Sequence, residues 1–181
     1  MWRVMQIHVL QPGARVHMTA VKNGDTAVGG TFNEVAGKVD LAHFPDLRGE
    51  VRINLTSLVT GNDKRDANVK AYFFEVTGPS GPEAVFAPQR FEGASALPAP
   101  GARVQGVLAG RLDFHGFAED VTLAVSIEHD NAGVYWLRST APLRFSIGAW
   151  NMDQKKVALM EQCKHKSIED VVLLTLEASL K

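Results

Sequence analysis

Cysteine is nearly absent from this chain of 181 residues, which contains one, Cys163. A single cysteine forms no internal disulfide and leaves no cysteine pair for a zinc site. The six histidines are scattered and lack the His-x-x-x-His or His-Glu-x-x-His spacing that is typical of metal sites. Residues 163–165, Cys-Lys-His, are the only place where a cysteine and a histidine lie near each other in the sequence, and we expect neither a metal site nor a reactive thiolate there. We therefore predict no metal site.

The chain has neither a large excess of one charge nor a long apolar run. Its formal net charge is -1, with acids and bases interspersed, so no basic field attracts phosphates and we predict no nucleic-acid partner. No window of about 18 apolar residues occurs, and we expect nothing to span a membrane. Residues 1–10 show no continuous apolar segment or cleavage site of a signal peptide. As the chain is written, the expected location is the cytoplasm.

Active-site patterns are missing as well. An enzyme needs a nucleophile with a base, a paired acid and base, or a metal cage. Arg65, Asp66 and His115 are the residues that could take part in such chemistry, but no matching nucleophile or base accompanies them. We therefore assign no catalytic residue and no cofactor, predict that the chain is not an enzyme, and interpret Arg65 and Asp66 as an ion pair that holds a helix.

The sequence does contain many short runs in which apolar and polar residues alternate. Sixteen glycines and eight prolines divide it into stretches in which apolar and polar residues alternate, the pattern of half-buried strands. Val51, Ile53 and Leu55, for example, share one face. About eight such strands can be drawn, a number that closes into a barrel. We predict an all-β, antiparallel barrel in one domain over residues 1–181, with a bulge near residues 35–37.

Two stretches have helical patterns. Residues 63–73 offer Val69, Tyr72 and Phe73 at helical spacing, with Asn62 or Asp63 as the N-cap. Residues 153–166 are polar and have a weak apolar stripe. The predicted fold therefore includes one or two short helices.

The inward faces of the predicted strands supply candidate binding residues. These are Phe32, Leu55, Phe86, Leu112, Phe114, Leu143, Phe145 and Leu174, with Phe73 and Trp150 near the mouths of the barrel. Alternation alone leaves two interpretations open, because the side chains of a small barrel either fill a solid core or line a cavity.

Several segments, in order along the chain, carry a resemblance to a known family. Residues 30–39, Gly-Thr-Phe-Asn-Glu-Val-Ala-Gly-Lys-Val, are similar to a Gly-x-Phe…Gly opening hairpin. Residues 57–66, Ser-Leu-Val-Thr-Gly-Asn-Asp-Lys-Arg-Asp, resemble a Ser-Leu-x-Thr-Gly-Asn-x-x-Arg-Asp stretch, and a Phe-Phe-x-Val follows at 73–76. Residues 82–86 and 110–116 are similar to a Pro-x-x-x-Phe strand and a Gly-x-Leu-x-x-x-Gly strand and turn. Together these segments resemble the YceI family, lipocalin-like bacterial proteins associated with polyisoprenoid binding.

The resemblance is weaker in the last third of the chain. The family's Arg-Ser-x-x-Gly appears only as Arg-Phe-Ser-Ile-Gly at residues 144–148, and a polar insertion over residues 151–167 follows it. We expect this insertion to change the shape of one barrel mouth.

The resemblance implies a lipocalin-like barrel with a cavity that binds, and sequesters or carries, a long apolar ligand. A polyisoprenoid, an isoprenoid quinone or a similar lipid fits this role. Each buried CH₂ contributes roughly 0.8 kcal/mol, so such a ligand is expected to need no charged anchor. The resemblance also leaves open a periplasmic location, and a homodimer, because related members often pair.

Two other functions stay open. An enzyme acting on a bound lipid would bring two of Arg65, Asp66 and His115 together at the mouth. A protein-interaction module would have a filled core and an exposed apolar patch around Trp136, Trp150 and the insertion.

Overall fold

The computed structural model describes residues 4–181, so Met1 to Arg3 of the predicted domain lie outside the described residues. The strands are β1 (Ile7–Val9), β2 (Arg15–Lys22), β3 (Thr26–Phe32), β4 (Val35–Asp40), β5 (Arg48–Asn54), β6 (Leu58–Val59), β7 (Glu83–Glu92), β8 (Arg103–Phe114), β9 (Phe117–His129), β10 (Tyr135–Ser139), β11 (Leu143–Ser146) and β12 (Val171–Leu180). The helices are α1 (Asp63–Asn68) and α2 (Asp153–Cys163), with 3-10 turns at Leu55–Ser57 and Gly148–Trp150 and a π turn at Val69–Phe73. In the part of the chain covered by these elements and their connections, no helix is long and apolar enough to cross a membrane.

The strands pair antiparallel in one sheet that curls into a barrel. Their order in the sheet is β1-β4-β5-β7-β8-β9-β10-β12-β2-β3-β6, and β11 also pairs with β12. The curl closes where Leu10 pairs with Leu180 and where Val9 and Lys181 exchange backbone hydrogen bonds of 2.9 and 3.1 Å. The predicted fold class, an antiparallel β barrel with short helices, is therefore confirmed.

The strand count differs from the predicted eight because four chain paths are interrupted. Strands β1 and β2, β3 and β4, β5 and β6, and β10 and β11 are consecutive segments separated by short breaks. One break, residues 140–142, contains Pro142, which has no N–H to donate to a ladder. Another falls at Asn33 and Glu34, just before the predicted bulge at residues 35–37, and β4 is regular from Val35. Twelve strands thus follow eight paths around the barrel.

Side chains fill the end of the barrel that contains β1. Phe91 and Val125 there are 1% and 0% exposed, and the rings of Phe44 and Phe91 lie 5.4 Å apart. The strands also approach closely, since a Cβ on Gly37 would lie 2.1 Å from the carbonyl oxygen of Glu50. We call this end the lower half. Its buried apolar residues are Leu10, Val39, Leu41, Leu47, Phe91, Leu108, Val125, Ala178 and Leu180.

The two helices lie across the other end. Asn62 caps α1 by accepting a hydrogen bond from the Arg65 N–H at 2.8 Å, as predicted. α2 belongs to the polar insertion and packs against α1 and the π turn. Two side-chain hydrogen bonds connect this region to its neighbours, from Lys155 to Glu75 at 2.7 Å and from Asn68 to the Sγ of Cys163 at 3.4 Å. The insertion therefore covers this mouth of the barrel.

Candidate functional site

An apolar cavity of about 170 Å³ lies beneath α2. We call the part of the barrel around it the upper half. Its apolar lining residues are Val16, Met18, Ala20, Val21, Val28, Phe32, Ile53, Leu55, Leu58, Val69, Phe73, Phe74, Ala84, Leu112, Phe114, Phe145, Ile147, Leu159, Ile168, Val172 and Leu174. Its other lining residues are Lys22, Thr60, Arg65, Cys163 and His165.

The period-two alternation of the strands produces this lining. On β2, Val16, Met18 and Ala20 all face the cavity, as expected for every second residue of a strand. Among the inward-facing residues at this end, Ala20 and Ala84 are small and leave space in front of them. The side chains of three lining residues take up the space over Gly30, where a Cβ would lie 2.9 Å from Cγ2 of Thr60 and 3.0 Å from both Cδ1 of Leu58 and Sδ of Met18. The cavity is thus a consequence of residue size on inward-facing positions.

Aromatic rings form one wall of the cavity. The ring of Phe74 lies 5.4 Å from that of Phe73, 5.8 Å from Phe32 and 6.0 Å from Phe114. Phe114 in turn meets Phe145 edge to face at 5.4 Å. The π turn that follows α1 brings Phe73 to this wall, and π turns are frequent at functional sites. Such edge-to-face contacts favour a fixed ring arrangement.

Seven of the ten residues predicted as ligand contacts line the cavity. They are Phe32, Leu55, Phe73, Leu112, Phe114, Phe145 and Leu174. Their contact with a ligand stays a prediction, but the structure brings them together around one space.

The other three predicted contacts, Phe86, Leu143 and Trp150, lie outside the cavity lining. A Cβ on Gly110 would lie 2.4 Å from Cζ of Phe86, so the ring of Phe86 covers that glycine instead. Leu143 pairs with Leu174 at the start of β11 and is partly exposed. The Trp150 ring is stacked behind Phe145, with centroids 4.5 Å apart. The alternation of apolar and polar residues correctly predicted which strand residues face the interior. It did not predict how far along the barrel axis each residue lies, and so which of them reach the cavity.

Sequence reasoning missed that basic residues line the cavity. Lys22 ends β2, Arg65 lies on α1, and His165 follows α2. Burial lowers the pKa of His165, and the positive charges of Lys22 and Arg65 lower it further. The three groups therefore lie close enough for their charges to interact. No pattern in the sequence links these positions, because they come from three separate elements.

Arg65 and Asp66 do not form the predicted ion pair with each other. Arg65 donates from Nε to Oγ1 of Thr60 at 2.7 Å and from Nη2 to the Thr60 carbonyl oxygen at 2.8 Å. Asp66 accepts a short hydrogen bond from the Thr60 hydroxyl and a further one from the Thr60 N–H. Both residues thus hold the turn at Thr60, and Gly61, at a φ of +80°, permits that turn.

Of the three groups considered for catalysis, Arg65 and Asp66 meet at Thr60, and His115 lies apart from them. His115 bonds Glu75 at 3.0 Å on the barrel rim and is not part of the cavity lining, whereas Arg65 and Asp66 both bond Thr60. Among residues 4–181, no three His, Cys, Asp or Glu side chains are grouped so that they could hold a metal ion.

The exposed patch expected of an interaction module does not include Trp150, which is 6% exposed. Trp136 is partly exposed and donates its indole N–H to Asp130 at 2.9 Å. An interaction module was expected to have a filled core and an exposed patch that includes Trp150. The structure instead has a cavity and a buried Trp150.

Comparison with known proteins agrees with this architecture. The profile of the YceI-like domain matches residues 9–180. A polyisoprenoid-binding domain from Saccharophagus degradans has a similar structure, with a TM-score of 0.85 at 16% identity over 98% of this chain and 99% of that one. Burkholderia cenocepacia BcnA gives a TM-score of 0.67 at 19% identity, over 92% of this chain and 95% of its own.

The YceI protein of Campylobacter jejuni has a TM-score of 0.60 at 18% identity, over 86% of this chain and 85% of its own. No curated protein sequence gives a significant match. The structural likenesses establish the fold, and the profile covers nearly the whole length of the chain. The protein therefore belongs to the family of YceI-like domains.

Proposed function

We propose that the upper half of the barrel binds one long apolar molecule, a polyisoprenoid, an isoprenoid quinone tail or a similar lipid, and that the protein sequesters or carries it. The observation that carries this proposal is the cavity itself, because apolar side chains line nearly all of it while the lower half is filled. The Saccharophagus degradans domain of the same fold is described as polyisoprenoid-binding, which supports the same class of ligand.

Burial of hydrocarbon supplies the binding energy in this proposal. Ten buried CH₂ groups would contribute roughly 8 kcal/mol. The cost of immobilising the ligand reduces this value, and micromolar affinity corresponds to about 8 kcal/mol. Binding of useful strength therefore requires a longer chain than a few carbons, and recognition depends on shape rather than on a specific polar contact.

The cavity volume sets a condition on how such a chain enters. An apolar cavity of about 150 Å³ is known to hold a benzene molecule, so a cavity of about 170 Å³ holds a group of similar size. A longer chain needs α2 to move outward. Leu159 is the one buried residue of α2, and the polar contacts of Lys155 and Cys163 add little to hold the helix. We therefore assign α2 the role of a movable cover.

Binding without covalent chemistry fits the polar groups that are present. Arg65 and Asp66 are engaged with Thr60, and His115 bonds Glu75 outside the cavity. The Thr60 hydroxyl, which lines the cavity, donates to Asp66 and accepts from Arg65, so all three groups are engaged in holding the turn, and we infer that the bound molecule leaves unchanged.

Filling the mouth of the cavity tests the proposal. Ala20 lines the cavity near the end of β2, and Ala27 is exposed on the neighbouring strand β3. In A20W, the indole would occupy space that the ligand needs, whereas in A27W it would lie in solvent. Native mass spectrometry of the proteins as expressed should show an added lipid mass on the wild type and on A27W, and none on A20W.

A second measurement covers the case in which the expression host supplies no lipid. Lipid-free wild type and A27W should enhance the fluorescence of added retinol, a neutral isoprenoid, and A20W should not. If the wild type carries no lipid mass and leaves retinol fluorescence unchanged, the proposed function is wrong. Equal retinol binding by all three proteins would place the binding site outside this cavity.

A further inference from the structure

Positive charge marks one end of the cavity. We propose that Lys22, Arg65 and His165 form a binding site for the anionic head group, a phosphate or a carboxylate, of an amphiphile whose tail occupies the cavity. This inference rests on the proposed function, because the tail uses the same apolar space. It changes the expected ligand from a neutral hydrocarbon, held without a charged anchor, to a charged lipid.

Backbone contacts bring two of the three basic residues, Lys22 and His165, close to each other. Lys22 pairs with Ile168 in an isolated β-bridge, and Asn23 donates its N–H to the carbonyl oxygen of Ser167 at 2.9 Å. The chain segment after α2 is thereby fixed to the end of β2, which places His165 beside Lys22. Arg65 reaches the same cavity from α1. One rim of the cavity thus gathers basic side chains from a strand, a helix and a connecting segment.

No acidic residue of the cavity lining neutralises the positive charges of Lys22 and Arg65. No Asp or Glu lines the cavity, and within the described range 4–181 neither Lys22 nor Arg65 has an ion-pair partner. Asp66 is the carboxylate that shares Thr60 with Arg65, and its oxygens accept hydrogen bonds from Thr60. The lining therefore contains two cations and no acid, and the Asp66 carboxylate beside Arg65 is engaged with Thr60.

The hydrogen-bond donors at this rim are also available. Arg65 uses Nε and Nη2 on Thr60, and its Nη1 has no partner among the residues that the structure describes. The Nζ of Lys22 likewise has none there. A guanidinium and an ammonium group form strong charge-assisted hydrogen bonds to phosphate and carboxylate oxygens. His165 has a lowered pKa, mainly through burial, and a neutral imidazole still offers one N–H donor.

Partial burial distinguishes these groups from ordinary surface charges. Lys22, Arg65 and His165 are all intermediate in exposure, so a head group bound there would be partly shielded from water. The competing explanation is that the aliphatic stems of Lys22 and Arg65 only cover the apolar mouth while their charges stay in solvent. In that case the cavity would not discriminate between charged and neutral head groups.

The head-group site and the coverage of the mouth by aliphatic stems can be distinguished with pairs of ligands that have the same tail but a charged or a neutral head group. Calorimetric titration of lipid-free protein at pH 7 should use farnesyl monophosphate against farnesol, and dodecanoate against dodecanol, below their micelle concentrations. We expect each anion to bind about tenfold or more tightly than the alcohol of the same chain. A preference in both pairs would mean that either anion is accepted, and a preference in the farnesyl pair alone would assign the site to phosphate.

Two lysine variants locate the effect. Lys22→Met should weaken farnesyl monophosphate binding about tenfold and leave farnesol binding within about twofold. Lys64→Met removes the same charge from an exposed position on α1 outside the lining and should change neither affinity. Equal affinities for anion and alcohol in the wild type, or equal losses in both variants, would overturn the head-group site while farnesol binding upholds the apolar cavity. If no probe binds the wild type, the cavity proposal fails with it.

Discussion

β8 contributes Leu108 to the lower half of the barrel and Phe114 to the upper half, and both side chains are more than nine-tenths buried. Leu108 packs within a filled core, whereas Phe114 faces a cavity. The same strand therefore serves two kinds of interior. Burial from solvent alone does not reveal which kind a residue belongs to, since a ring that lines a closed cavity is as inaccessible to water as one in a solid core.

Residue size and strand spacing account for this difference between the halves. In the lower half, Gly37 and Gly106 let neighbouring strands approach so closely that a Cβ would lie 2.1 and 2.0 Å from the opposing carbonyl oxygens, and Phe91 fills the narrow interior. In the upper half, the small residues Ala20 and Ala84 face inward, and helices rather than strands close the end. We infer that the lower half supplies stability and that the upper half supplies binding.

Truncating a large aromatic side chain in each half should give the greatest contrast. Phe91→Ala removes a ring that is 1% exposed from a filled core and should cost about 3–5 kcal/mol in the free energy of unfolding. Phe73→Ala enlarges a space that already exists and should cost clearly less. Urea denaturation of the lipid-free proteins measures both values. Equal losses would mean that the two halves are packed alike.

Enlarging an alanine in each half should give a smaller contrast of the same kind. Ala178→Leu adds volume to the lower half, where overpacking should cost about 1–3 kcal/mol. Ala20→Leu adds the same atoms beside the cavity and should leave the free energy of unfolding nearly unchanged. Thermal and urea denaturation provide the comparison. A large loss for the Ala20 variant would contradict the presence of free space in the upper half.

Removing the Lys155–Glu75 contact should loosen the upper half alone. Lys155→Met deletes a 2.7 Å ion pair between α2 and the segment after the π turn, and such a partly exposed pair contributes about 1 kcal/mol or less. Amide hydrogen exchange of α2 should become roughly two- to fivefold faster, while exchange in β8 and β9 stays the same. Lys64→Met, in which an exposed lysine on α1 is lost, should leave α2 exchange unaltered.

Acid should weaken the same contact by a smaller amount. The hydrogen bond from Lys155 lowers the pKa of Glu75 below its ordinary value of 4.5, and His115 adds to the shift. Because the folded pKa is the lower one, the stabilisation is fully present above pH 4.5 and is lost as the pH falls from there through the folded pKa. Protection of α2 from exchange should therefore decrease over this range. In Glu75→Gln this component of the decrease should be absent, and an identical pH profile would refute the assignment.

The sequence was sufficient for the fold because the strands are regular. Alternation located β5, β8, β9 and β12, and the Asn62 cap located α1. The breaks at residues 33–34 and 140–142 were not foreseen as strand ends, since backbone hydrogen bonding between distant segments decides where a ladder stops. The predicted number of eight therefore matches the eight chain paths around the barrel, but not the twelve separate strands into which their backbone hydrogen bonding divides them.

The candidate site could be predicted only in part. Inward-facing residues such as Phe32 and Leu174 followed from period-two alternation, but Phe86, which lies on an inward face over Gly110, shows that alternation does not give depth. The basic rim of Lys22, Arg65 and His165 could not be predicted, because their proximity depends on how α1 and the segment after α2 pack on the barrel. The insertion at residues 151–167 likewise revealed its role as a cover only through its contacts.

The claim that the upper half is hollow and the lower half filled can be checked by diffraction from a xenon-pressurised crystal of the lipid-free protein, because xenon binds in apolar cavities that lack water. We predict xenon between Phe32, Phe114 and Leu174 in the upper half, and none among Phe91, Leu108 and Val125 in the lower half. An upper half in which the protein's own side chains occupy that space and exclude xenon would contradict the claim.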